Sequence, residues 1–108
     1  MDNEVPGIQV GDLPADAALL DVREDDEWAA GRAPAAQHVP MGELAERLDE
    51  LPAGGTVYVI CRSGRRSARV VAYLNANGWD AVNVEGGMLA WQGSGRELVA
   101  DAAEPQVL

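Results

Sequence analysis

At 108 residues the chain has the length of one domain, with material for a single hydrophobic core and not for two. An apolar fraction of 47% supports a folded protein, and the absence of Phe leaves its core to Leu, Val, Ile and Ala, with Trp28, Trp79, Trp91, Tyr58 and Tyr73 as the only aromatics. A net charge of −10 argues against nucleic acid or an anionic membrane surface as partner, and without a membrane-length apolar run or a basic-then-apolar leader after Met1 a soluble, cytoplasmic protein is expected.

In chain order, Ile8-Gln9-Val10 reads as a first strand, followed by the turn Gly11-Asp12-Leu13-Pro14. Ala18 to Val22 is a stronger strand, and its nearly unbroken apolar run suits one covered on both faces. Asp25 to Ala30, with acidic residues in its first turn and Gly31 after its last, predicts a short helix. Gln37-His38-Val39 predicts a brief strand before Pro40. Gly42 to Leu51 places Leu44, Leu48 and Leu51 at helical spacing and predicts a helix ended by Pro52 and Gly54-Gly55. Val57 to Ile60 is a strand, Ser67 to Asn77 a helix with Gly78 as its stop, Ala81 to Val84 a last strand and Gly87 to Gln92 a last helix. Strands alternating with helices imply an α/β fold, a parallel sheet covered on both faces, with ligands bound beyond the carboxyl ends of the strands.

Cys61, the only cysteine, leaves the carboxyl end of the Val57 to Ile60 strand and opens Cys61-Arg62-Ser63-Gly64-Arg65-Arg66-Ser67. A thiol on a short turn before a helix faces backbone N–H groups and the positive end of the helix dipole, both of which favour its ionised form. All eight basic residues are arginines. Four of them (Arg62, Arg65, Arg66, Arg69) lie within eight positions, and no Asp or Glu occurs from Leu51 through Trp79. An acidic protein with one basic mouth attracts small anions to that mouth. Arg62 and Arg65 are expected to hold an oxyanion there, since a planar, permanently charged fork suits one. Arg66 is expected to pair with Asp21, Arg23 with Glu27, and at least one loop arginine with a carboxylate from elsewhere in the fold. One Cys and one His cannot build a disulfide or a zinc site, and no metal or cofactor is expected. His38 is expected to be structural, because a thiolate formed by its surroundings needs no general base.

Three blocks together resemble the rhodanese domain of the sulfurtransferase family: Leu20-Asp21-Val22-Arg23-Glu24 with Glu27-Trp28 and Gly31 to Ala36; the loop from Cys61 to Ser67; and Asn83 to Met88 with Ala90-Trp91. They stand in family order and cover about residues 8 to 95. The chain departs from the family's frequent Gly-His-Ile-Pro-Gly-Ala at Gly31 to Ala36, where position 35 is Ala. The resemblance implies a three-layer α/β/α domain with a mainly parallel sheet of about five strands, one domain over 1–108, with 96–108 as a poorly ordered tail.

The resemblance also implies two-step sulfur transfer. Cys61 takes a sulfane sulfur from a small anionic donor such as thiosulfate, holds it as a persulfide within the backbone of Arg62, Ser63, Gly64, Arg65, Arg66 and Ser67, and passes it to cyanide, an external thiol or a protein acceptor. Two alternatives share the fold. A non-catalytic binding module commonly lacks the cysteine, which this chain keeps. Cysteine phosphatases and arsenate reductases use a longer loop, with five residues between Cys and Arg where this chain has four between Cys61 and Arg66.

Overall fold

The structure, a computed structural model, describes residues 5–101 and 104–108. Five strands, β1 (Gly7–Ile8), β2 (Ala18–Asp21), β3 (Gln37–His38), β4 (Thr56–Ile60) and β5 (Asp80–Val84), form one sheet in the order β1-β5-β4-β2-β3. All neighbours are parallel, as the alternation of strands and helices required. The helices are α1 (Asp25–Ala30), α2 (Arg65–Ala76) and α3 (Gly87–Gly93).

The period-2 geometry of the strands sorts the core into two halves. On one face Leu20, Val57, Val59 and Ala81 pack with Val70, Val71 and Leu74 of α2 and with Leu44 and Leu51. On the other, Leu19, Ile60 and Val84 pack with Met88 and Trp91 of α3 and with Val10 and Leu13. From Val57 to Ile60 the residues of β4 pack on one side or the other, which is why that run is apolar. Cys61 continues the Val57, Val59 face and arrives beneath the start of α2.

Three segments differ from the sequence expectation. The first strand stops at Ile8, and Val10–Asp12 turns as a 3-10 helix that buries Val10 on the α3 face. Gly42 to Leu51 is two 3-10 turns, Met41–Glu46 and Leu48–Glu50, broken at Arg47, rather than one α-helix. Length is not the reason, since α1 and α3 are shorter and still α-helical; burial of Leu44 and Leu51 against the sheet shapes the segment. Ala35 occupies a turn that the Ala36 N–H closes on the Ala33 carbonyl at 3.3 Å.

The third difference concerns residues 96–108, expected as a loose tail. Positions 102 and 103 lie outside the described residues, and the rest runs back across the molecule as a strap. Trp91 Nε1 donates to the Glu97 carbonyl at 2.8 Å. Val99 and Arg32 exchange two backbone hydrogen bonds of 2.9 Å, and Asp101 pairs with the Arg32 guanidinium at 2.9 Å. The Gln106 N–H reaches the Ala30 carbonyl at 2.9 Å, and Leu98 and Val107 pack on the α3 half of the core. Apolar side chains at 98 and 107 thus find a face that α1 and α3 leave uncovered.

Gly31 is the point where the strap comes closest. A Cβ there meets the backbone of Gln106. Gly31→Ala is expected to displace the strap at a cost of about 1–3 kcal/mol, read as a fall in Tm of about 4–8 °C per kcal/mol in thermal unfolding. An unchanged Tm would mean that the strap does not rest there.

Candidate active site

At the carboxyl ends of β2, β4 and β5 the chain from Cys61 to Ser67 curls over its own sulfur. Cys61 is 1% exposed. Its Sγ accepts from the Gly64 N–H at 3.1 Å and the Ser67 N–H at 3.4 Å, with the Ser67 hydroxyl at 3.3 Å. Gly64, the residue before α2, has φ 103°, a conformation that turns its N–H inward and that a side chain resists. Burial pushes the thiol pKa up, but hydrogen bonds from the Ser67 hydroxyl and from the Ser67, Gly64 and Ser63 N–H groups outweigh it and leave the pKa below its ordinary value. The backbone N–H groups expected from the sequence contribute to that lowering, and the Ser67 hydroxyl adds a donor that the sequence reading did not single out.

Ser67 has its own support. Its Oγ lies 2.5 Å from Asn83 Oδ1, and Asn83 Nδ2 donates to the Gly64 carbonyl at 3.2 Å. The single hydroxyl hydrogen serves Asn83 or the sulfur at any moment, and turns to the sulfur when that is charged. Asn83 escaped the sequence reading as a site residue, although an Asn inside Ala81-Val82-Asn83-Val84 is the signal that could have found it. From the other side, α3 grips the loop: Met88 and Leu89 N–H groups donate to the Cys61 and Arg62 carbonyls at 2.8 and 3.0 Å. Gly87 lies so close to those carbonyls that a Cβ would collide with them.

Neither expected ion pair forms as drawn from the sequence; the partners are exchanged. Arg66 makes a two-pronged pair with Glu27, 2.8 and 2.9 Å, that ties the loop to α1. Asp21 pairs instead with Arg23, both fully buried, with guanidinium contacts of 2.8 to 3.1 Å and a fourth bond from the Arg23 N–H. Arg23 points back into the fold, where its Nη2 also reaches the Gly31 carbonyl at 2.7 Å, so it satisfies the nearest carboxylate and leaves Glu27 on the helix surface for Arg66. The Arg66 fork lowers the Glu27 pKa from 4.5 to about 2, against a smaller rise from burial. One loop arginine does pair with a distant carboxylate, as expected.

The remaining basic groups divide. Arg65 and Arg66, with Gly64, Ala68, Arg69 and Ala72, line an open concavity of about 900 Å³ over the loop. Arg62 is turned away from it, its Nε donating to the Leu108 carbonyl of the strap at 2.6 Å. Ser63 is exposed on the loop crest. His38 is structural: it stacks on Trp28 with ring centroids 4.5 Å apart, and its Nε2 lies 2.8 Å from the Arg23 carbonyl. Among the described residues no group of three or more His, Cys, Asp or Glu could hold a metal ion, and no helix is long and apolar enough to cross a membrane.

The chain is similar in sequence and fold to known proteins. The profile of the rhodanese-like domain matches residues 9–94. A Bacillus subtilis protein named "Putative sulfurtransferase YtwF" is 49% identical over 75 residues, 69% of this chain and 73% of that one. A protein of Allochromatium vinosum named as a sulfurtransferase is 40% identical over 86 residues, 79% and 80% of the two chains. The crystal structure of a rhodanese-related protein from Thermoplasma volcanium superposes with a TM-score of 0.82 at 34% identity, covering 88% of this chain and 98% of that one. The chain belongs to the rhodanese-like family.

Two outcomes follow from the site's electrostatics. Ser67→Ala removes a donor from the sulfur, so the pH midpoint of Cys61 alkylation by iodoacetamide is expected to rise; a midpoint unmoved or lowered contradicts the hydroxyl's role. Glu27→Gln is expected to destabilise the protein by about 1–2 kcal/mol at neutral pH. Because the folded pKa of Glu27 is depressed, its stabilisation is present above the unfolded value of 4.5 and is lost as pH falls toward about 2. Urea unfolding of parent and variant should therefore differ at pH 7 and converge in strong acid.

Proposed function

We propose that the protein is a sulfurtransferase that moves a sulfane sulfur from thiosulfate or a persulfide donor to a thiophilic acceptor through Cys61. The observation that carries this reading is the ring of donors around a buried sulfur. The Gly64 and Ser67 N–H groups already face Sγ, and the Arg65 and Arg66 N–H groups in the first turn of α2 have no intrahelical acceptor. Such a ring stabilises a negative charge on one further sulfur atom attached to Cys61.

In the first step the Cys61 thiolate attacks the outer sulfur of thiosulfate. The S–S bond of the donor breaks, sulfite leaves with the bonding pair, and Cys61 carries a persulfide. In the second, cyanide or a thiolate attacks the outer persulfide sulfur and the Cys61 thiolate departs. The donor's oxyanion belongs in the concavity, where Arg65 is exposed and free to meet it. Arg62, held by the strap, contributes less than the sequence led us to expect. With no second cysteine in the chain, the acceptor must come from outside. The relatives named as sulfurtransferases support this reading.

Incubation with thiosulfate should add the mass of one sulfur atom, removable by cyanide, and Cys61→Ser should abolish both the adduct and turnover. Arg65→Ala should raise the KM for thiosulfate about tenfold, equivalent to about 1.4 kcal/mol, while Arg62→Ala changes it less. Transfer surviving in Cys61→Ser, or an aryl phosphatase activity of the parent lost in that variant, overturns the reading.

A further inference from the structure

The outer face of α2 continues the site in a direction that a small donor does not use. Arg65 and Arg69 stand one turn apart and exposed, and among the described residues neither forms an ion pair. Like charges at i and i+4, placed near the positive end of a helix, oppose local helix stability. Helix formation therefore does not explain them. Ala68 and Ala72 line the concavity between them and leave room for close approach.

The concavity shares Arg69 with a second hollow, an apolar groove of about 190 Å³ between α2 and the Met41–Glu46 turn, lined also by Met41, Leu44, Ala45 and Tyr73. Tyr73 is 40% exposed, one of three large apolar side chains so placed among the described residues. On the facing turn Glu43 is paired with Arg47, and neither Glu43 nor Glu46 lines the groove. From Gly64 to Tyr73 the surface runs roughly 14 Å along the helix, several times the reach of a single oxyanion, and its far half is apolar.

We propose that this face docks a polypeptide sulfur acceptor: an acidic segment with an apolar residue that seats by Tyr73 and a cysteine thiolate that reaches Cys61. The proposal rests on the sulfurtransferase reading for its chemistry and on the charge and shape of α2 for its partner. The acceptor thiolate attacks the outer sulfur of the Cys61 persulfide, a new S–S bond forms on the acceptor, and the Cys61 thiolate leaves with the electrons of the broken bond. No oxidant or reductant is needed. Charge selects the partner: the protein as a whole, at −10, repels acidic chains, and the guanidiniums of Arg65 and Arg69 offset that repulsion at this face.

The test uses two synthetic peptides that each carry one leucine and one cysteine, one with four glutamates and the other with four glutamines. With the full chain loaded with sulfur from thiosulfate, the glutamate peptide should accept sulfur at least tenfold faster. Arg69→Glu, loaded with sulfur beforehand, should lose that preference, and Tyr73→Ala should slow transfer to both peptides while keeping parental turnover from thiosulfate to cyanide. A serine-for-cysteine version of the glutamate peptide, which cannot react, should bind the parent and shift the amide resonances of Arg69, Ala72 and Tyr73. If the peptide binds there and no persulfide ever forms, the surface stands and the sulfurtransferase reading fails. Equal rates with both peptides, no binding, or a preference that survives Arg69→Glu overturns the proposal. Self-association that Arg69→Glu abolishes also overturns it and assigns the face to a second copy of this chain.

Discussion

A negative charge on a sulfur atom out of contact with water must be met by hydrogen-bond donors, and the architecture around Cys61 answers that demand. The parallel sheet delivers the thiol at the end of its central strand, where the next helix begins with N–H groups that have no partner of their own. Gly64 bends the backbone so that one N–H faces inward, Asn83 fixes both the Ser67 hydroxyl and the Gly64 carbonyl, and α3 holds the outer carbonyls of the loop. The backbone donors cost little reorganisation when charge appears, because the loop that carries them is already fixed by its neighbours, and only the Ser67 hydroxyl has to turn.

Two exchanged ion pairs keep that loop in place. The buried pair of Asp21 and Arg23 fixes the crossing between β2 and α1, and the partly exposed pair of Glu27 and Arg66 fastens α1 to the loop. Losing one partner of the buried pair leaves an uncompensated charge, a change worth about 3–5 kcal/mol in comparable sites. The outer pair, partly exposed, is worth less. The two pairs thus divide their roles between the permanence of the fold and the setting of the loop.

The strands and the position of Cys61 were legible because they follow local rules: apolar runs of strand length, a Gly-rich turn and an uncapped helix start. The swap between Asp21 and Glu27 was not legible, since it depends on Arg23 folding back on the carboxylate two residues earlier, a choice made by burial rather than by spacing. The same holds for Gly42 to Leu51, whose leucine spacing fits a helix while tertiary packing selects 3-10 turns. Residues 97 to 108 carry no periodicity at all. Among the described residues of that segment, Leu98 and Val107 meet an apolar face made by distant parts of the chain, and that burial decides their place.

The strap has a consequence for how the protein comes into being. Its contact with Arg62 spans 46 residues of chain, and synthesis proceeds at about 5–20 residues per second, so the loop is made roughly 2–10 s before the segment that restrains it. Asn83 and α3, which brace the loop from the other side, are also made after it. During translation the thiol therefore emerges after Glu27, which will anchor Arg66, but ahead of Ser67, Asn83 and α3, so the loop gains its full set of braces only after these later segments have packed against it.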